Sequence, residues 1–365
     1  MLALAALLPA VEKQPRISSF KPGELWPDNN GVHINAHGGG ICMWKGVYYW
    51  FGEHKIEGTK GNKAHMGVHV YASKDLYNWH DMGIALKVDE DDPASPIAKG
   101  CILERPKVVY CHKTKKFVMW FHLELKGREY SAAQSGVAVA GKITGPYKFL
   151  HSGRVNPDKW PMNLPEDQRT TEGRAMPRLK GSFYEEGDDR LAFLRRDFEQ
   201  GQMARDMTIF VDDDGKAYHI YSSEENSTLH IAELSDDYTK HTGRYVRLFE
   251  GRFMEAPAIC KRNGKYYLVM SGCTGWWPNA ARSAVAAHLF GPWKELENPC
   301  VGKKADSTFG GQSTFILPIA GKKNQFIFLA DIWRPDNAID GRYLWLPMKW
   351  EGDQIRIENQ QVWKY

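Results

Sequence analysis

No stretch of the 365-residue chain approaches the ~20 consecutive apolar residues that cross a bilayer, so no membrane-spanning helix is expected. Cysteine is scarce. The six present (Cys42, Cys101, Cys111, Cys260, Cys273 and Cys300) form no CxxC pair and show no zinc-ligand spacing. That excludes a zinc module and reads as small buried hydrophobes, with room for one or two disulfides if the chain is exported. Charge of one sign is also lacking. Forty-eight Lys and Arg against 44 Asp and Glu leave +4, too small a surplus for nucleic acid or an acidic membrane surface as the main partner. Helical periodicity is nearly absent, which excludes bundles and coiled coils. At 42% hydrophobic and 25% charged residues, disorder is excluded as well. What is abundant is aromatic: 13 Trp, 16 Tyr and 16 Phe. Trp and Tyr in excess suit flat, amphipathic ligands such as sugars, although most belong to the core.

The segment Met1–Ala10 is apolar and ends Leu-Leu-Pro-Ala. It resembles the end of a secretory h-region, without a basic region before it. The expectation is an exported protein, periplasmic or extracellular, with residues 1–19 as an N-terminal segment and 20–365 as one catalytic domain. A monomer is expected.

One pattern recurs five times: a polar or small start, an apolar strand, a tight turn, an aromatic-rich strand. It reads GGGICMWKGVYYWFGEH from Gly38, ERPKVVYCHKTKKFVMWFH from Glu104 and RDMTIFVDDDGKAYHIYSS from Arg205. The last two copies are EAPAICKRNGKYYLVMSG from Glu255 and QSTFILPIAGKKNQFIFLAD from Gln312. Each is a hairpin by its turn chemistry. A second strand–turn–strand follows each, as in GVAVAGKITGPYKF from Gly136 and SAVAAHLFGPWKEL from Ser283, where Gly145-Pro146 and Gly291-Pro292 mark matching points. Four strands in each of five units predict an all-β, five-bladed β-propeller of antiparallel blades. At 73 residues per blade (365 over five), the units exceed the ~40–45 of compact blades, so loops are long. The longest, from about Val155 to Gln202, reads equally as a surface excursion and as a wall of a pocket.

In a propeller the first strand of each blade lines the central channel, so equivalent strand starts converge on one axis. Those positions hold the Asn35-Ala36-His37 region, Glu104, Asp206, Glu255 and Gln312. Three of the five are carboxylates directly before an apolar run. Carboxylates held together push one pKa upward and keep a proton available near neutrality. Glycoside hydrolysis needs that arrangement, an acid on the leaving oxygen and a second group acting on water or the sugar.

At these residues the chain resembles glycoside hydrolase family 43, the five-bladed propeller glycosidases, from about Phe20 to Trp363. MEAPAICKRNGKYYLVMSG is similar to the family's fourth-blade segment, which implies Glu255 as general acid. RDMTIFVDDDGKAYHIYSS is similar to its third-blade segment, which implies that Asp206 tunes and positions that acid. The family's usual base, a first-blade Asp, has no counterpart in INAHGGGICMWKGVYYWFGE. That departure, with ERPK in blade two and Gln in blade five, resembles the exo-β-1,3-galactanase branch. The resemblance implies that Glu104 contacts substrate and that Gln312 acts on water. A neutral amide is a very weak base, so Gln312 would work as an imidic acid or merely orient the water; His37, titrating near neutrality, and Glu104 remain alternatives. The implied activity is inverting, exo-acting release of galactose from the non-reducing end of β-1,3-galactan, the backbone of type II arabinogalactan. Rivals are a β-galactofuranosidase or α-L-arabinofuranosidase of the same fold and, in another class, a non-catalytic sugar-binding propeller.

Further candidates for sugar contact are Asn35, His37, Glu225, the adjacent Trp276 and Trp277, Trp333 and Arg334, which could donate to hydroxyls; the stretch Glu224-Glu225-Asn226 after the third hairpin reads equally as facing the pocket or a blade edge. Asp212-Asp213-Asp214-Gly215 lacks the EF-hand alternation and closing Glu and reads as a hairpin turn. The Gly38–Gly40 run lacks the P-loop Lys-Ser/Thr and reads as close backbone approach at the channel mouth. No motif calls for a cofactor or a catalytic metal. An axial calcium, which the family sometimes holds, has no sequence feature to support it here.

Overall fold

The computed structural model describes residues 16–172, 176–177 and 184–365; Met1–Ala10, read above as a leader remnant, lies outside them. Five antiparallel sheets follow one another along the chain. The first comprises β1 (His37–Trp44), β2 (Val47–Glu53), β3 (Gly67–Ser73) and β4 (His80–Lys87). The second comprises β5 (Ile102–Cys111), β6 (Lys116–Glu124), β7 (Gln134–Ala140) and β8 (Lys148–Gly153). The third has β9 (Met207–Val211), β10 (Ala217–Ser223), β11 (Thr228–Leu234) and β12 (His241–Leu248). The fourth has β13 (Glu255–Arg262), β14 (Lys265–Ser271), β15 (Arg282–Ala286) and β16 (Trp293–Leu296). In the fifth, the short β17 (Cys300–Val301) pairs parallel with the outermost strand, and β18 (Gln312–Pro318), β19 (Phe326–Ile332), β20 (Arg342–Glu351) and β21 (Gln354–Glu358) complete the blade.

The five first strands form a closed ring: β1 packs on β5, β5 on β9, β9 on β13, β13 on β18, and β18 back on β1. This is a five-bladed β-propeller. Its apolar core is divided among the blade interfaces. Phe51, Val68, Met119 and Phe121 fill the first, Trp120, Tyr221 and Tyr245 the second, and Ile220, Leu268 and Met270 the third. Phe328, Leu344 and Leu346 fill the fourth, and Trp50, Trp79 and Trp345 the fifth. Each such side chain contributes roughly 1.5–3 kcal/mol of burial, so aromatic-rich second strands are what hold neighbouring blades together. At the closure, Phe20 bridges Trp363 with hydrogen bonds of 2.9 and 3.1 Å, and their rings stack at 4.5 Å.

The Asp212–Gly215 run is the turn between β9 and β10, closed by a Gly215 N–H bond of 2.9 Å to the Asp212 carbonyl. Asp212 and Asp213 both pair with Lys261 of the next blade, at 2.6 and 2.8 Å. The long excursion carries a short helix, α1 (Ala192–Arg196). Among the described residues, which include all six cysteines, no disulfide forms; five cysteines are buried and Cys273 is half-buried.

Candidate active site

The site is built by a backbone irregularity repeated around the ring. In blades one, two, four and five the first strand gains one residue over its partner near its start. The breaks fall between His37 and Gly40, Glu104 and Lys107, Glu255 and Ala258, and Ser313 and Phe315. Such bulges re-aim side chains and end regular pairing. In three of the four, the residue after the functional position is left-handed: Gly38 at φ 59, Arg105 at φ 55 and Ala256 at φ 52. For a non-glycine residue this costs about 1–2 kcal/mol. At Gly38 a Cβ would also stand 2.2 Å from Glu53 Oε1, so any larger residue would have to displace that carboxylate. Lys107, 2% exposed, holds two bulges from below, its Nζ donating to the Gly38 carbonyl at 2.9 Å and the Arg105 carbonyl at 3.2 Å.

The strand starts of blades two to five open into a cavity of about 230 Å³ lined by Glu104, Arg105, Asp206, Glu255 and Gln312, together with Trp276 and Trp333. That is below the ~300–1,000 Å³ of drug-sized pockets and suits a single sugar ring. Arg105 ties it together. Its Nε and Nη2 donate to the two Asp206 oxygens at 3.3 and 3.0 Å, Nη2 also donates to Gln312 Oε1 at 2.5 Å, and Nη1 to the Ser313 carbonyl at 2.8 Å. A planar fork with only donors fits this set.

Glu255 sits between Asp206 and Asn226. Burial, reinforced by the Asp206 charge, pushes its carboxyl up to about 8, so it carries a proton at neutral pH. Asn226 Nδ2 donates to its Oε1 at 2.6 Å. Glu104 is held the other way. Burial alone would raise its pKa, but the hydrogen bond and charge of His122, with Lys55 and Asn62, outweigh burial and hold it well below the carboxylate range. Its Oε1 accepts from Asn62 at 3.0 Å and Tyr130 at 2.7 Å, and its Oε2 from His122 at 3.0 Å. Gln312 Oε1 accepts from Arg105 and, at 2.9 Å, from Trp333 Nε1, while its Nε2 donates to Ser271 Oγ at 3.0 Å. Arg and Trp nitrogens can only donate, so the amide's orientation is fixed.

Residues 177–354 match the family model described as glycosyl hydrolases family 43. A β-1,3-galactosidase of that family, solved with galactodeoxynojirimycin, is 50% identical, covers 95% of this chain and 100% of its own, and superposes with a TM-score of 0.87. The chain belongs to glycoside hydrolase family 43. A family 43 chain is a glycoside hydrolase. The exo-β-1,3-galactanase from Phanerochaete chrysosporium, solved with β-1,3-galactotriose, is 29% identical over 95% of this chain and 68% of that one, with a TM-score of 0.75. A β-D-galactofuranosidase from Aspergillus niger is 32% identical over 121 residues, 32% of this chain, which spans about a third (35%) of that enzyme's length.

The cavity therefore brings together Glu104, Asp206, Glu255, Gln312, Trp276 and Trp333 of the residues singled out from sequence. It does not include five others. Asn35 is buried, its amide bonded both ways to the Lys55 backbone at 2.8 Å, so it clamps a loop. His37 is 0% exposed, faces Tyr343 at 5.4 Å, and is held well below the ordinary histidine range by burial; it does not line the cavity. Glu225 is occupied by Arg196 at 2.9 Å and Arg205 at 3.2 Å. Trp277, 79% exposed, and Arg334 line smaller hollows on either side of the T-shaped Trp276–Trp333 pair.

Sequence reasoning missed Arg105, Asn62 and Tyr130; of the Glu224-Glu225-Asn226 stretch, read as facing either the pocket or a blade edge, Asn226 lines the cavity. Arg105 stands inside the quoted ERPK, but an Arg beside a functional Glu does not announce the bulge that turns it inward. The described part of the Val155–Gln202 excursion adds nothing to the cavity lining; it braces the loop behind it through Arg196. Glu104, His122 and Asp206 bring possible metal-ligand atoms within 4.8 Å of one another. They do not fit a cation: Arg105 already occupies both Asp206 oxygens. Burial opposes charging His122, but the Glu104 and Glu124 hydrogen bonds overcome it and raise its pKa to about 9, which leaves a cation where a metal would stand.

Proposed function

We propose that the protein is an inverting, exo-acting β-1,3-galactosidase, a monomer that releases galactose from the non-reducing end of β-1,3-galactan such as the arabinogalactan backbone. The observation that carries this reading is the placing of Glu255 beside Asp206, which favours a protonated acid, in one cavity with an Arg105-locked Gln312 and of a size for one ring. Glu255 gives its proton to the glycosidic oxygen as that bond breaks. The charge of Asp206 favours the protonated form beforehand. Glu104, kept ionised, accepts from sugar hydroxyls. Water attacks from the opposite face, held by the remaining N–H of Gln312 Nε2. Both lone pairs of the amide oxygen are taken by Arg105 and Trp333, which opposes an O–H imidic acid, so Gln312 orients the water and does not take its proton. That proton returns to solvent, from which Glu255 is recharged. The apolar Met1–Ala10 supports export as the setting.

Purified protein on β-1,3-galactobiose and linear β-1,3-galactan is expected to yield free galactose and no larger product, with the α-anomer first. Release only from a galactofuranoside or arabinan would instead support the second reading, which the Aspergillus niger match favours. Binding of these sugars without release would leave the non-catalytic propeller.

A further inference from the structure

The turn that joins β10 to β11 is built against conformational preference. Glu224, Glu225 and Asn226 stand at φ 53, 55 and 65, three consecutive left-handed residues where single ones are the rule. The surroundings enforce it. Glu224 is fully buried, receives Arg247 Nε and Nη2 at 2.7 Å each, and meets His230 Nε2 at 2.8 Å. Glu225 is clamped by Arg196 from α1 and by Arg205. Strain enforced by its surroundings persists where the geometry serves a purpose.

What the turn delivers is Asn226. Its Oδ1 accepts from Arg205 Nη1 at 3.4 Å, and its Nδ2 donates to Glu255 Oε1 at 2.6 Å. A guanidinium has no acceptor, so the amide cannot be reversed without setting Nδ2 against Arg205. An N–H aimed at Oε1 requires that oxygen to be an acceptor. We infer that Asn226 is a positioning residue that keeps the transferable proton of Glu255 off Oε1 and on Oε2, the oxygen that delivers it. The inference rests on Glu255 being the general acid. After transfer, the same N–H bonds a carboxylate and strengthens, so Asn226 also eases the release of the proton. The charged and titratable groups facing Glu255 are Asp206, Arg105, Arg205 and Cys273, and the variants below leave all four in place.

Asn226→Asp keeps the shape and tolerates the left-handed turn, but offers only acceptors and draws the proton onto Oε1. Asn226→Gly suits the turn and removes the side chain. With β-1,3-galactobiose, both are expected to lose about 100-fold or more in kcat, the scale of general acid catalysis, with KM changed less than about threefold. Loss of a donor to the carboxylate should move the alkaline limb of kcat/KM upward by about one pH unit, the size of one charged hydrogen bond. A raised KM with an unmoved limb, or unchanged kinetics, would overturn the role of Asn226. Glu255→Gln, assayed beside them, separates the two failures. If it stays active, the acid assignment falls; if it is inactive while the Asn226 variants behave as wild type, only the present inference falls.

Discussion

At the residue scale, the proposed chemistry rests on opposite treatment of two carboxyls in one cavity. Glu255 lies against another acid, with its hydrogen-bond partners few, so burial and the Asp206 charge win and its pKa rises to about 8. Glu104 meets His122, Asn62 and Tyr130, so its partners win over burial. The acid must be protonated to work, and the rate should therefore hold through neutrality and fall as pH rises through about 8. A kcat/KM profile on galactobiose that begins to fall near pH 5 would contradict this assignment. Arg105 makes a second prediction. Lysine keeps the charge but cannot serve Asp206, Gln312 and the Ser313 carbonyl together. Arg105→Lys should lower kcat by about 100-fold or more, since small misplacements of positioned groups carry that scale, while the protein still folds. Activity within a few-fold of wild type would show that the fork is not needed. Glu255, Asp206 and Gln312 were legible in the sequence because repeat position alone placed them on one axis. Tyr130 was not, because it reaches the cavity from a loop outside the repeated strand starts, and for the same reason the turn that carries Asn226 read equally as facing the pocket or a blade edge.

At the scale of the element, the bulge explains both a success and a failure of the sequence reading. The recurring pattern of polar start and apolar run located the first strands, and in four of the five blades the polar residue heading the run proved to be the one at the cavity. The extra residue that follows it is invisible in composition, since Gly38, Arg105 and Ala256 share a conformation but no chemistry. Hence His37 was read as facing the channel, although its ring lies under Trp333 and against Tyr343. The bulge also sets a test. Ala256 at φ 52 bears about 1–2 kcal/mol of left-handed strain, whereas glycine there adds about 0.5–1 kcal/mol of unfolded-state entropy. Relief is the larger effect, so Ala256→Gly should stabilise the fold by roughly 0.5–1 kcal/mol in urea titration. Destabilisation beyond about 1 kcal/mol would mean that the Ala256 methyl contributes packing that outweighs its strain.

For the whole molecule, a ring of blades has no central nucleus, and its stability is distributed over five similar interfaces. The blade count was readable from repeats because each copy must present the same aromatic second strand to its neighbour. How the ring shuts was not, since one aromatic pair far apart in sequence leaves no periodic trace. Trp363 is 7% exposed, stacks on Phe20 at 4.5 Å and donates its indole N–H to the Trp345 carbonyl at 2.7 Å. Its partners join blade five to Trp26 and, through it, to Trp50 of blade one. Truncating a buried Trp typically costs about 3–5 kcal/mol. Trp363→Ala should therefore lower the unfolding midpoint by several degrees. The cavity draws Gln312 from blade five and Glu104 and Arg105 from blade two, across the β18–β1 contact that shuts the ring. Loosening there must disturb the site together with the fold. Activity and far-UV circular dichroism are then expected to be lost at the same temperature in the variant. Activity lost well before secondary structure would show that blades part independently, and that closure serves the site more than it serves the fold.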